Sequence, residues 1–229
     1  MKKAIAFFIL ILTVIGACGC MRLEKNNGLT DRMVQYMNDK YADDEFSFNA
    51  ETGGGAGAVY KTIIVSSREC PDKDIYVRYR KNGDTEEFSD NYLGVKYQQQ
   101  TEDLMGSVIS AVLGSDYRIF YTVDNYACPN DNGTLSFNEY ICNKDSNIGF
   151  TVVAKATADD KDAIAKALET EITKAGLCCT ATVYFDNGSD DYKALTDTNL
   201  YAYLYKKAYS AALSFEMEND AGFSATSWE

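Results

Sequence analysis

The sequence predicts an α+β fold, with mixed or antiparallel sheets and helices packed on one side. Three stretches carry that prediction. Asp74 to Arg80 alternates, with Ile75, Val77 and Tyr79 on one face and Tyr76, Arg78 and Arg80 on the other, and it runs into Asn82-Gly83, a tight-turn signal. Gln98 to Leu113 sets Leu104, Val108 and Val112 at helical spacing, with Met105 and Ile109 widening the stripe. Asp159 to Ala175 does the same with Ile164, Leu168 and Ile172, between two runs of strand chemistry, Phe150 to Ala156 and Cys178 to Phe185.

The other elements follow in order. Thr30 is placed to cap a helix to about Tyr41, whose Met33, Met37 and Tyr41 share a face with Val34 beside them. Phe46 and Phe48 alternate with polar residues and predict a short strand. Thr52 to Ala58, TGGGAGA, reads as a turn. Val59 to Ser66 predicts a well-buried strand, and Thr85 to Phe88 a return strand after the turn at Asn82. Gly114 and Gly176 are placed to end the two long helices. Acidic residues open the second of these, where the helix dipole favours them. Tyr117 to Val123 predicts a strand, and Asp124 to Asn147, rich in Asn, Asp and Gly, a loop between two halves.

In the C-terminal segment Leu200, Leu204 and Ala208 fit a helix, whereas Tyr201, Tyr203 and Tyr205 alternate as in a strand. The expectation is a helix to about Lys207, a strand at Ala212 to Met217, and a loose tail from Ala221 to Glu229. Strand–helix–strand order recurs in the two halves, each ending near an Asp-Asn pair, Asp124-Asn125 and Asp186-Asn187, which suggests two similar α/β halves. The organisation is then a leader (residues 1–17), a tether (18–28), a first α+β half (29–124), a connecting loop (125–147) and a second half (148–229).

Lys2 and Lys3 precede Ala4 to Gly16, an uncharged and mostly apolar run that matches the core of a secretory signal. It is shorter than the ~20 residues a permanent membrane span needs. It closes on Ile15-Gly16-Ala17-Cys18. This stretch resembles the signal peptides of bacterial lipoproteins, whose lipobox sets an aliphatic residue and two small residues before a cysteine. The resemblance implies that Cys18 carries a diacylglyceryl thioether and that cleavage falls just before it. It also implies a body held at the outer face of a cytoplasmic membrane, because two acyl chains anchor a protein where one does not. Cys20 is the alternative acceptor, with a poorer match in Ala17-Cys18-Gly19. The body is similar in style to uncharacterised surface lipoproteins of Gram-positive bacteria, and that similarity carries no functional residue across.

The formal net charge is −12, and removal of Lys2 and Lys3 with the leader makes it −14. That balance argues against nucleic acid, which needs clustered Lys and Arg, and against docking on anionic lipid through basic segments. The chain has no histidine. Ser-His-Asp and Cys-His nucleophiles, His-ligated zinc and the usual neutral-pH acid–base group are therefore excluded. An enzyme here would depend on carboxylates, Lys, Tyr, Cys or an oxygen-held metal. No motif calls for a cofactor. Cys70, Cys128, Cys142, Cys178 and Cys179 match no paired zinc spacing. Cys128 and Cys142 flank a turn-rich segment and could pair across it in an oxidising compartment. Cys178 and Cys179 are adjacent in a predicted strand, so their side chains point to opposite faces.

Gly55 and Lys61-Thr62 invite a phosphate loop, but Tyr60 stands where glycine is needed and strand chemistry follows in Ile63, Ile64 and Val65. Cys128 to Glu139 resembles a calcium loop at several positions, but Cys128 stands where a hard cation needs a carboxylate, and an Asn-Gly turn explains the same residues. Asp186, Asp190 and Asp191 form an acidic loop whose plain reading is a solvated turn. The pairs Glu86-Glu87 and Asp159-Asp160 fit an acidic surface as well as a hydrolase. No metal ligand set is assigned. Tyr201, Tyr203, Tyr205 and Tyr209 could offer flat amphipathic faces to sugar or peptide, or could simply pack.

These observations favour a lipid-anchored, non-catalytic binding or interaction module of the cell envelope, with the membrane as covalent partner and an envelope protein or glycan as ligand. The alternatives are a carboxylate-dependent envelope hydrolase, which needs a cleft with two opposed acids, and a structural assembly partner, which needs a contiguous exposed apolar patch.

Overall fold

The computed structural model describes residues 27–54, 59–123, 133, 135–186, 188, 191–206, 209–218 and 222–228. The leader, Cys18 and Cys20 lie outside the described residues. Helix α1 (Asn27–Lys40) begins ahead of Thr30, so residues 27 and 28 belong to a helix rather than to the tether. Thr30 instead accepts a hydrogen bond from Lys61 Nζ at 2.8 Å. Met33 and Met37 are fully buried. They face a four-stranded antiparallel meander of β1 (Phe46–Gly53), β2 (Tyr60–Ser67), β3 (Ile75–Asn82) and β4 (Thr85–Asp90), in that spatial order. Ile63, Val65, Ile75 and Val77 alternate toward this layer and are excluded from water. Residues 55–58 are not described, but their flanks pair antiparallel, Gly53 opposite Thr62. A strand follows the glycine run, which removes the context a phosphate loop needs.

Two helices lead out of the first sheet. The short α2 (Tyr92–Lys96) was not predicted, because five residues carry no readable period; it buries Tyr92 and Leu93. In α3 (Gln98–Leu113) the stripe's centre lies on Met105, Val108 and Ile109, with Leu104 and Val112 half-buried at its margin. Both long helices end at a glycine with positive φ, Gly114 at 86° and Gly176 at 64°, the second in the left-handed cap conformation.

The second sheet orders β5 (Tyr117–Thr122), β6 (Gly149–Ala154), β7 (Cys179–Asp186), β8 (Tyr209–Glu218) and β9 (Gly222–Trp228). β6 and β7 are parallel and every other pairing is antiparallel. A parallel pair needs a crossover, and α5 (Lys161–Ala175) supplies it. α3 and α5 pack together on one side of this sheet, as predicted. The other side is covered in part by the turn at Asp191–Ala194 and by α6 (Asp197–Tyr205), where Phe120, Val153, Tyr192, Leu195 and Tyr203 form a second cluster.

Three further expectations change. The segment predicted as a connecting loop holds α4 (Phe137–Cys142), started by a capping box between Ser136 and Glu139. The predicted loose tail contains β9, because the exposed edge of β8 accepts another strand and Phe223 stacks on Phe215 with centroids 5.2 Å apart. The two strand–helix–strand orders also sit differently. β6–α5–β7 lies within one sheet, whereas β4–α3–β5 steps from the first sheet to the second. β5 therefore belongs with the second sheet, although the predicted limit of the first half lies beyond it at residue 124. One continuous core nonetheless joins both sheets, from Met33 in α1 to Met217 in β8. Among the described residues no helix is long and apolar enough to cross a membrane.

Candidate functional site

The parallel pair β6/β7 sends two strand ends to the same edge of the second sheet, which is where α/β sheets tend to hold ligands. A cleft of about 640 Å³ opens there. Lys155, Thr157 and Asp159 follow β6, Lys161 opens α5, Asp186 ends β7 with Gly188 just beyond it, and Ser210 comes from β8. The amide end of α5 is already answered by Asp160, whose side chain accepts from Ala163 N at 3.0 Å. Thr157 Oγ1 donates to Asp159 Oδ2 at 2.7 Å. Asp186 is buried and accepts from Tyr203 OH at 2.6 Å and Gly188 N at 3.0 Å. The lining thus carries charges of both signs, and its buried acid is committed to holding the wall. Lys155, Thr157, Lys161 and Ser210 were not singled out from the sequence. The signal was available in the strand–helix–strand order, whose parallel strands fix the edge at which a cleft forms.

Asp186 ties the cleft to α6. Leu200, Tyr203 and Leu204 turn inward to the second cluster, which settles the helix-or-strand ambiguity in favour of helix. The helix start is fixed by Thr196 N donating to Asn199 Oδ1 at 2.7 Å and Asn199 Nδ2 donating to Ala194 O at 3.0 Å. Helical spacing separates the four candidate tyrosines. Tyr203 is buried on Asp186, and Tyr209 lies in β8, edge-on to Tyr184 with centroids 4.8 Å apart. Tyr201 and Tyr205, one helical turn apart, stand 78 % and 80 % exposed. Their centroids are 6.4 Å apart and their planes differ by 23°.

Several of the remaining acids are engaged within the fold. Asp44, buried beside the turn after β2, accepts from the hydroxyls of Ser67 and Tyr92 and from Glu45 N and Glu69 N. Burial alone would push its pKa up, but those hydrogen bonds outweigh it and hold the carboxyl below the ordinary value. Burial and the Asp44 hydrogen bond keep the Tyr92 phenol protonated. Glu69 lies 3.2 Å from that phenol oxygen and 2.7 Å from Lys96 Nζ. Burial and these two acids raise the neighbouring Cys70 thiol, and burial with Cys178 pushes Cys179 up to about 12. Neither is a thiolate at neutral pH, so neither is an activated nucleophile.

The Asp44 cluster has a pH signature. A carboxyl held low in the folded state contributes stability above its unfolded pKa near 4 and loses that contribution as pH falls through the lower folded value. Urea midpoints should therefore fall below about pH 4 in the native chain. Asp44→Asn should flatten that acid limb and cost about 1–3 kcal/mol at pH 7, from the donors it leaves unmatched. An unchanged acid limb in the variant would remove Asp44 as its source.

Of the other constellations, Glu139 is occupied as a helix cap, with Ser136 N at 2.8 Å and Ser136 Oγ at 2.7 Å from its Oε2, while Cys128, Asn130 and Asn132 lie outside the described residues. So does the partner proposed for Cys142, whose Sγ donates to Gly176 O at 3.0 Å. Asp190 also lies outside them. Glu86 takes Arg32 at 2.7 Å on the surface and the hydroxyl of the buried Tyr79 at 2.9 Å. Cys178 and Cys179 are both buried. Among the described residues no three His, Cys, Asp or Glu side chains are grouped to hold a metal.

No family model matches the chain, and no curated protein matches it. The chain is similar to the crystal structure of a DUF5037 family protein from Ruminococcus gnavus ATCC 29149 at 2.55 Å resolution, over 86 % of this chain and 95 % of that one. The two are 13 % identical with a TM-score of 0.43.

Proposed function

We propose that this protein is a lipid-anchored, extracytoplasmic binding module of the cell envelope. The anchor rests on the leader, with its two lysines, short apolar core and Ile15-Gly16-Ala17-Cys18. Binding rather than catalysis rests above all on one observation: α6 is pinned on its inner face and presents Tyr201 and Tyr205 almost bare on its outer face. Exposed aromatics held on a rigid element are contact surface at low entropic cost. The chain's acidity disfavours nucleic acid as the partner.

Growth with a clickable fatty-acid analogue should label the native chain, and external protease on intact cells should degrade its body. Cys18→Ala should abolish the label. Equal labelling of that variant would move the acceptor to Cys20, and an unlabelled, protease-protected chain that still carries Met1 would refute the proposal.

A further inference from the structure

Tyr201 and Tyr205 form the most exposed large-hydrophobic pair among the described residues. Phe48, Val59 and Tyr60 are also exposed, but they lie in or beside the first sheet and less of each is bare. The two phenol rings lie one helical turn apart, stacked with their planes 23° from parallel, and make a short aromatic strip along the helix. The strip sits on a helix fixed by the Asn199 contacts at its start and by Tyr203 on Asp186 beneath it.

We infer that this strip binds a neutral polysaccharide, whose flat sugar faces lie on the two phenol rings. The inference rests on the binding-module reading and names its ligand class. Size and charge select the ligand. A tyrosine buries roughly 150–250 Å² on full contact, so two offer well under the roughly 800 Å² that each side of a stable protein interface buries. A second copy of the chain or a folded protein is therefore too large a partner for this patch alone. Asp197 and Lys206 stand near the two ends of the helix, so its exposed face has no net charge. The molecule around it carries −12, which repels polyanions, single-stranded nucleic acid and acidic bilayers. A lipid or other apolar ligand calls for a concave, water-excluding pocket, whereas these two rings stand open to water. A sugar ring has an apolar C–H face that stacks on an aromatic plane and a rim of hydroxyls that stays in water, which suits an exposed phenol.

The test uses the full chain, extracted in a polyoxyethylene detergent that contains no sugar. It is run on native gels cast with amylose, hydroxyethylcellulose or galactomannan, and with polygalacturonate as the charged control. The native chain should be retarded by at least one neutral polymer and not by polygalacturonate. Tyr201→Ala/Tyr205→Ala should weaken that binding on the order of tenfold, at an unchanged melting temperature because both positions are exposed. Tyr201→Phe/Tyr205→Phe should stay within about twofold, since the ring faces remain. Equal retardation of the double alanine variant, no retardation in any neutral gel, or retardation by polygalacturonate alone would each overturn the inference. Fatty-acid labelling does not depend on these rings, so a labelled, surface-exposed chain that ignores all three neutral polymers sinks the glycan assignment and leaves the anchored module standing.

Discussion

Asp90→Ala should destabilise the protein by about 3–5 kcal/mol. Asp90 is buried at the end of β4, and its carboxylate is the meeting point of the first sheet and α1. Lys40 Nζ lies 2.8 Å from Oδ2, with both side chains nearly lost to solvent. Tyr36 OH donates to Oδ2 and Tyr41 OH to Oδ1, each at 2.8 Å, and Tyr92 N donates to Oδ1 at 3.0 Å. Alanine removes the counter-charge from an enclosed ammonium and strips an acceptor from two phenols at once. The cost is thus set by the groups left behind rather than by the value of the pair. Urea unfolding at neutral pH measures it. Asp90→Leu combined with Lys40→Met should recover much of the loss, because an apolar pair leaves no stranded charge. A single-variant loss below about 1 kcal/mol would mean the ion pair is hydrated in solution.

Phe185→Ala should cost a similar amount, about 3–5 kcal/mol. Phe185 is fully excluded from water on the helix-facing side of β7, within the core that includes Val183, Ala211 and Leu213. Truncation leaves a void that strands on either side cannot close, since β7 lies between β6 and β8. A shift in denaturant midpoint at constant slope reads the change. The register slips between Phe185 and Asp186, and Asp186 lines the cleft. The cavity should therefore also loosen Asp186 and its Tyr203 contact. Rigid retention of that contact, seen as unchanged near-ultraviolet tyrosine dichroism, would count against a mechanical link between core and cleft.

Long periodic elements were legible because their physics is local. Ile75, Val77 and Tyr79 alternate, and Leu168 and Ile172 repeat at helical spacing, so one face of each had to be buried. The elements that were missed depend on partners distant in sequence. α2 exists because Tyr92 reaches Asp44, and β9 because Phe223 meets Phe215. The capping box at Ser136 was local and readable, but the turn-rich composition around it outweighed it. The site was half legible. The tyrosines stood out by type, but only the helix could divide them into an inward Tyr203 and an outward Tyr201 and Tyr205. The cleft required knowing that β6 and β7 run parallel, and a lone chain states that only through the length of its crossover.

The unbroken apolar seam between the two sheets has a consequence for how the molecule fails. With Met33 and Met217 in one cluster, the two sheets share their main interior, and only the smaller cluster beneath α6 belongs to the second sheet alone. Heat or denaturant therefore meets a single cooperative unit, and damage at the Asp90 end is felt as lost free energy at the Phe185 end.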